Sequence, residues 1–265
     1  MIGTMGSAVG AGAVAGGAAG PGAGGVVSRP RLFGRLGAAR VSVVSAPAGT
    51  GKTVLLRSWI DQASLAEHAA GVPVGRGERD PQRFWLSVLA ALRQTGPGSA
   101  LVRPVTAAPD LDGWAITERL LTDLAPLRDR LWLVIDDVHE LGPDALRQLE
   151  LLIMRAPPGL RFVLAARHDV RLGLHRLRLE GGLAEIRTDD LRFTRAEAAE
   201  LFAAAGVELD DPSLAKLHER TEGWAAGLRL AALSLAGHPD PGRLAAEFSG
   251  TERTVASTRT PAEIR

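Results

Sequence analysis

The sequence predicts an α/β protein with a doubly wound parallel sheet, followed by a small all-helical subdomain. Short apolar runs alternate with amphipathic helical segments between residues 41 and 166. A glycine-rich loop directly follows the first of these runs, and strand patterns stop after about residue 190. Strands that alternate with helices form parallel sheets, because each helix returns the chain to the edge from which the previous strand began.

The elements follow in order along the chain. Periodic structure begins near Arg31. Three β-branched or apolar runs predict buried strands, which are Val41–Ala46, Leu131–Ile135 and Arg161–Ala166. Apolar residues at helical spacing predict helices between and beside these strands. The predicted helices are Thr53–Gln62, a helix opened by Asp80-Pro81, a helix carrying Ile116 to Leu124, and Ala145–Met154.

The predicted helical subdomain covers residues 191–250, and the α/β domain covers residues 28–190. Thr194 and Glu197 have the spacing of a capping box, in which each side chain accepts a hydrogen bond from the other's backbone amide. Helices are predicted near Pro212–Glu222 and Trp224–Ala236, and the polar stretch Thr188-Asp189-Asp190 is predicted to link the two parts.

Composition excludes several classes of function. The 265 residues include no cysteine, which rules out disulfides and thiolate chemistry, and the six histidines lack the spacing of metal ligands. The net charge of +1 predicts no general attraction to nucleic acid, and no apolar run approaches the roughly 20 residues of a membrane-spanning helix. The Gly/Ala-rich segment 1–27 and the polar tail 251–265 are predicted to be disordered. Segment 1–27 does not resemble a secretory signal, so we expect a cytoplasmic protein without membrane partners.

The glycine-rich loop carries the strongest chemical signal. It matches the Walker A pattern except that Ala46 replaces the first glycine. Its glycines allow backbone amides to face a phosphate, Lys52 supplies a compact charge, and Thr53 supplies a hydroxyl ligand for Mg²⁺. Lysine is informative here because arginine supplies nearly all other cations. The predicted nucleotide-binding residues are Ala46, Pro47, Ala48, Gly49, Thr50, Gly51, Lys52, Thr53 and Val54.

Paired carboxylates end the second apolar strand. Asp136 is the Walker B candidate, because a carboxylate at the end of a buried strand needs compensation that Mg²⁺ beside Thr53 would provide. Asp137 would polarise the attacking water or cap the following turn, and both readings stay open.

Two further residues are weaker candidates for the same site. Arg167, after the third strand, either senses the γ-phosphate or is an ordinary surface arginine. Trp224 either covers the nucleotide or belongs to the core of an interhelical turn.

Together these segments resemble the ATPase region of maltose-activator-type regulators, which belong to the STAND class and are often described as large ATP-binding regulators of the LuxR family. The resemblance covers about Ser28 to Gly250. It lies in Arg29-Pro-Arg-Leu, SAPAGTGKTVLLRSW, DPQRFW, LVIDDVHEL and TEGWAAGLRLAALSLAG. From the first of these segments we also count Arg29 among the nucleotide-binding residues.

The resemblance implies a sheet in which the Walker B strand and the P-loop strand flank the Arg167 strand. It also implies an ATP/ADP switch that hydrolyses ATP slowly, with ATP favouring self-association. Family members continue into sensor repeats and a DNA-binding helix-turn-helix. The sequence shows neither, so we expect a truncated product that does not bind DNA directly.

Two alternatives to the switch remain. One is a non-catalytic remnant that binds nucleotide poorly. The other is a P-loop kinase acting on a small molecule, for which Arg171, Arg176 and Arg178 would be lid residues.

Overall fold

The structure is a computed structural model that describes residues 26–75, 79–105, 112–238 and 241–247. Apart from Val26 and Val27, both segments predicted to be disordered lie outside the described residues. The strands are β1 (Val41–Ser45), β2 (Ala69–Pro73), β3 (Leu131–Asp136), β4 (Leu160–Ala166) and β5 (Leu183–Arg187). The helices are α1 (Pro30–Ala38), α2 (Lys52–Gln62), α3 (Pro81–Arg93), α4 (Gly96–Leu101), α5 (Gly113–Leu124), α6 (Pro143–Arg155), α7 (His175–Leu179), α8 (Thr188–Leu191), α9 (Arg195–Ala204), α10 (Asp211–Thr221), α11 (Ala225–Leu235) and α12 (Pro241–Glu247).

All five strands form one parallel sheet in the order β2-β3-β4-β1-β5. The predicted α/β fold is therefore confirmed. So is the strand order implied by the family resemblance, since β3 and β1 flank β4. The carboxyl ends of these three adjacent strands meet at one edge, where loops can combine residues that are distant in sequence.

Apolar clusters cover both faces of the sheet. On one face, α3, α5 and α6 pack against strand side chains such as Leu133 and Leu164. On the other face, α1 and α2 pack against the alternate residues, such as Val134 and Val163. Burial on both faces explains why β3 and β4 read as continuous apolar runs.

A third apolar cluster lies among α9, α10, α11 and α12, and includes Phe202, Leu217 and Leu228. The predicted capping box is present at the start of α9: the Thr194 hydroxyl accepts from the Glu197 amide at 3.2 Å, and the Glu197 carboxylate accepts from the Thr194 amide at 2.8 Å. No helix among the described residues is long and apolar enough to cross a membrane.

The structure adds elements that the pattern did not predict. Strands β2 and β5 occupy the two edges of the sheet, where partial exposure removes the need for a continuous apolar run. The predicted polar linker is the short helix α8, because the Asp190 carboxylate accepts a hydrogen bond from the Arg187 amide and closes the turn. Helices α4 and α7 are also short, with six and five residues, and have too few turns for a periodic signal.

Candidate functional site

The loop between β1 and α2 requires glycine at two positions. Gly49 and Gly51 adopt left-handed backbone conformations, with φ values of 78° and 85°. A Cβ atom at Gly49 would also lie only 2.7 Å from the ring of Trp224. Glycine alone reaches these φ values without steric cost, so the loop can curve its backbone amides around an anion at the start of α2.

Lys52 is the first residue of α2, and only 7% of its surface is exposed. Its Nζ donates hydrogen bonds to the carbonyl oxygens of Ala46 and Pro47, at 2.6 and 2.9 Å. Burial lowers the pKa of Lys52, while the carboxylates of Asp136 and Asp137 oppose that shift. The loop therefore holds a cation against its own backbone, beside two acidic groups.

Thr53 and Asp136 meet across the strand–helix junction. The Thr53 Oγ1 donates to the Asp136 Oδ2 at 2.6 Å, and the other carboxylate oxygen accepts from the Asp137 amide at 3.0 Å. A hydroxyl and a carboxylate beside an anion-binding loop are the hard oxygen ligands that Mg²⁺ takes when it also contacts phosphates. The residues present fit a Mg²⁺–nucleotide complex.

Asp137 lies in a third group, with Arg167 and His139. It has a left-handed backbone with φ of 59°, and its side chain makes no capping hydrogen bond to the 3₁₀ turn Val138–Glu140 that follows. Instead its Oδ1 lies 3.7 Å from the Arg167 Nε and 3.7 Å from the His139 Nδ1. The ion pair with Arg167 therefore holds the Asp137 side chain at the end of β4.

His139 is a site residue that the sequence reasoning missed. The Arg167 backbone amide donates to its Nδ1 at 3.4 Å, which assigns the proton of the neutral ring to Nε2. Burial lowers the pKa of His139, although Asp137 and Glu140 oppose this shift. In the sequence, the available signal for His139 was its position three residues after Asp136, in the turn that follows a buried strand.

Trp224 precedes α11 and contacts the P-loop directly. Its ring packs on Gly49, and the Ala226 amide donates to the Gly49 carbonyl oxygen at 2.9 Å. About 36% of the Trp224 surface stays exposed, so it is not a core tryptophan. A cavity of about 220 Å³ lies beside this contact, and Val27, Thr50, Val54 and Arg229 are among its lining residues.

Arg29 lies in the wall of this cavity and is 5% exposed. Its guanidinium donates to both carboxylate oxygens of Glu197 at 3.1 Å and to the carbonyl oxygens of Leu191 and Arg192 at 2.8 Å. It also stacks on the Phe193 ring at 4.5 Å. The structure therefore places Arg29 in a cavity that Thr50 and Gly51 of the loop also line, with its donors directed at the helical part.

The fold and this edge of the sheet define a P-loop ATPase region. A parallel sheet carries the phosphate loop after β1, the Thr53–Asp136 pair, and Arg167 at the end of the strand between them. The sequence matches the family described as AAA domain over residues 35–172, just over half of the chain, and the chain belongs to that family.

Among curated proteins, the chain is similar to the HTH-type transcriptional regulator MalT of Serratia proteamaculans (strain 568). The two are 29% identical over 215 residues, which is 78% of this chain and 24% of that protein. The P-loop ATPase region of this chain is thus similar to part of MalT, and the chain spans about a quarter of the length of this relative.

Two solved structures show the same fold. One is a STAND protein with a tetratricopeptide repeat sensor from Pyrococcus horikoshii, with a TM-score of 0.58 and 18% identity, covering 89% of this chain and 33% of that one. The other is a Walker-type ATPase of Pyrococcus abyssi, with a TM-score of 0.54 and 13% identity, covering 82% of this chain and 68% of that one.

Proposed function

We propose that this chain binds Mg·ATP and Mg·ADP and acts as the nucleotide-dependent switch of a transcriptional regulator, with slow hydrolysis of ATP. The observation that carries the proposal is the convergence of Lys52, Thr53 and Asp136 on a loop that the helical part contacts through Trp224. P-loop ATPases use this combination to bind nucleotide with Mg²⁺.

Each residue has a role set by its chemistry. Lys52 binds the β- and γ-phosphates as a point charge, and Thr53 with Asp136 holds the metal, which neutralises phosphate charge when bound. Asp137 orients the attacking water, held by its ion pair with Arg167. Aspartate is shorter than the glutamate common at this place, which is consistent with slow turnover.

The switch follows from contacts made by both parts of the molecule. Nucleotide contacts by the P-loop and by the Trp224 side favour a closed pose, and a ligand shifts that equilibrium only by its differential affinity for the two poses. ATP and ADP differ by the γ-phosphate, and Arg167 is the cation at the end of β4 that can distinguish them. ATP binding also favours self-association of the chain. The chain itself does not contact DNA directly.

The arginines considered for a kinase lid give that alternative no support. Arg171 and Arg178 line a different cavity, and Arg176 pairs with Glu180 at 2.7 Å on the surface of α7.

The test is calorimetric titration of Mg·ATP and Mg·ADP into the wild type and Lys52→Ala. We expect at least about a tenfold loss of ATP affinity, because hydrogen bonds to charged groups contribute roughly 1.5–3 kcal/mol. Lys216→Ala is the matched control, since Lys216 is the only other lysine and lies on α10. Equal affinity in all three proteins would refute the assignment, and no binding by the folded wild type would favour the non-catalytic remnant.

A further inference from the structure

A second cavity, of about 440 Å³, lies on the opposite side of β1 from the P-loop helix α2. The sheet forms its floor: Leu164 on β4 and the adjacent Val43 on β1 belong to the apolar part, and Glu185 on β5, next to Val43, forms a charged edge. The segment from Asp169 to Arg178, which includes α7, forms its wall. The cavity shares no lining residue with the 220 Å³ cavity at the nucleotide side.

The sheet is incompletely covered at this point. Val43 lies on an internal strand, yet it is only half-buried, and Leu183 on β5, which pairs with Val41, is half-buried too. Internal strands of parallel sheets are normally covered on both faces by helices. Here the short helix α7 leaves a concave apolar floor open, and a volume of 440 Å³ is within the range of small-molecule sites.

Ion pairs lie at the mouth of the cavity. Arg187 pairs with Asp169 and with Glu185 at 2.8 Å, and Arg178 pairs with Glu185 at 2.9 Å. The Ser45 hydroxyl also hydrogen-bonds the Asp169 carboxylate and lowers its pKa, with a smaller contribution from Arg187. The negative charges of Asp169 and Glu185 are therefore matched by the positive charges of Arg178 and Arg187.

Arg171 takes no part in these ion pairs. It is exposed in the cavity wall and has no hydrogen bond or ion pair with any residue in the described part of the chain. The lining therefore combines an apolar floor with one uncompensated cation at its rim. We propose that this cavity is a binding site for a small amphipathic monoanion, whose apolar body lies on the Val43–Leu183 floor and whose anionic group pairs with Arg171.

The location gives such a ligand access to the nucleotide site. Ser45 directly precedes Ala46, whose carbonyl oxygen accepts from Lys52, and Asp169 follows Arg167 by two residues. An occupant of the cavity would contact the strands β1 and β4 just before they enter the P-loop and the Arg167 loop.

The experiment uses 8-anilinonaphthalene-1-sulfonate as a fluorescent monoanionic probe, with the protein saturated by Mg·ADP. Octanoate, below its micellar concentration, should displace the probe, and octanol should need at least about a fivefold higher concentration because it lacks the charge. Arg171→Gln should weaken octanoate binding by about threefold to tenfold, the range expected for one exposed charged contact, and should leave octanol unchanged. Arg176→Gln is the matched control, because it removes the same charge from a residue outside the cavity.

A second variant tests the floor. Leu183→Phe adds volume on an edge strand and should weaken both octanoate and octanol, with circular dichroism used to verify folding. If that variant does not fold, the comparison of Arg171→Gln with Arg176→Gln still decides the question. Equal octanoate affinity in these two variants, or failure of octanoate to displace the probe from the Mg·ADP-saturated wild type, would overturn the proposal. Neither result would affect the assignment of the P-loop.

Discussion

Replacement of Arg29 by alanine should destabilise the protein far more than the same change two residues later. Arg29 is 5% exposed and donates to Glu197 and to two backbone carbonyl oxygens. Arg31 has a side chain that is 59% exposed and lies 4.0 Å from Asp190. The chain thus offers a buried and an exposed ion pair of the same type, both joining the region where α1 begins to the segment after β5.

The structure sets the size of the difference. Removing one member of a buried pair costs about 3–5 kcal/mol, because the remaining charge and the carbonyl groups lose their partners. Since the Glu197 side chain keeps 18% exposure, we expect the lower end, about 3 kcal/mol, for Arg29→Ala. Arg31→Ala should cost less than about 1 kcal/mol, as exposed pairs do.

Scanning calorimetry without nucleotide measures both variants. For a domain of this size, 1 kcal/mol lowers the Tm by about 2–4 °C, so Arg29→Ala should lower it by roughly 6–12 °C and Arg31→Ala by less than about 4 °C. Equal shifts would refute the argument from burial. A loss of nucleotide affinity in Arg29→Ala without loss of stability would instead favour direct nucleotide binding by Arg29.

The pH dependence provides an independent check on the same pair. Burial would raise the pKa of Glu197, but the hydrogen bonds from Arg29 and from the Thr194 amide outweigh it and lower the pKa below 4.5. The stabilisation is therefore complete above about pH 4.5 and is lost as the pH falls through the lower folded-state value. Arg29→Ala should lose less stability than the wild type over this acid range.

Three further predictions concern the site itself. Asp136→Asn should lower the rate of ATP hydrolysis by at least about tenfold while ATP affinity changes less than about threefold, because the phosphate loop remains intact; an unchanged Mg²⁺ dependence of hydrolysis would move the metal-binding role elsewhere. Arg167→Ala should bring the ATP and ADP affinities closer together in calorimetric titrations, and an unaltered ratio would remove Arg167 as the γ-phosphate sensor. The folded-state pKa of His139 lies below 6.5, so the unfolded chain binds more protons and His139 costs stability as the pH falls below about 6.5. Urea unfolding between pH 7 and 5 should therefore show a weaker acid loss in His139→Gln than in the wild type, and parallel curves would contradict the burial of this ring.

The interior strands were predictable because their environment is uniform. Helices cover both faces of β3 and β4, so nearly every position is apolar and the run is visible without a partner. The edge strands β2 and β5 have polar or small residues among their five, and only pairing with β3 and β1 makes them strands. Local pattern cannot show such pairing, since it depends on residues about 60 and 140 positions away.

The same distinction applies to the site. The sequence by itself determined the phosphate loop and the carboxylates at the end of β3, because two glycines, a lysine and a hydroxyl within a few consecutive residues can surround a phosphate. Only the tertiary structure decided which distant groups face them: His139 against Asp137, Trp224 on Gly49, and Arg29 directed at Glu197. Those contacts depend on how the sheet edge and the helical part pack together, and packing is a property of surfaces that a linear motif does not contain.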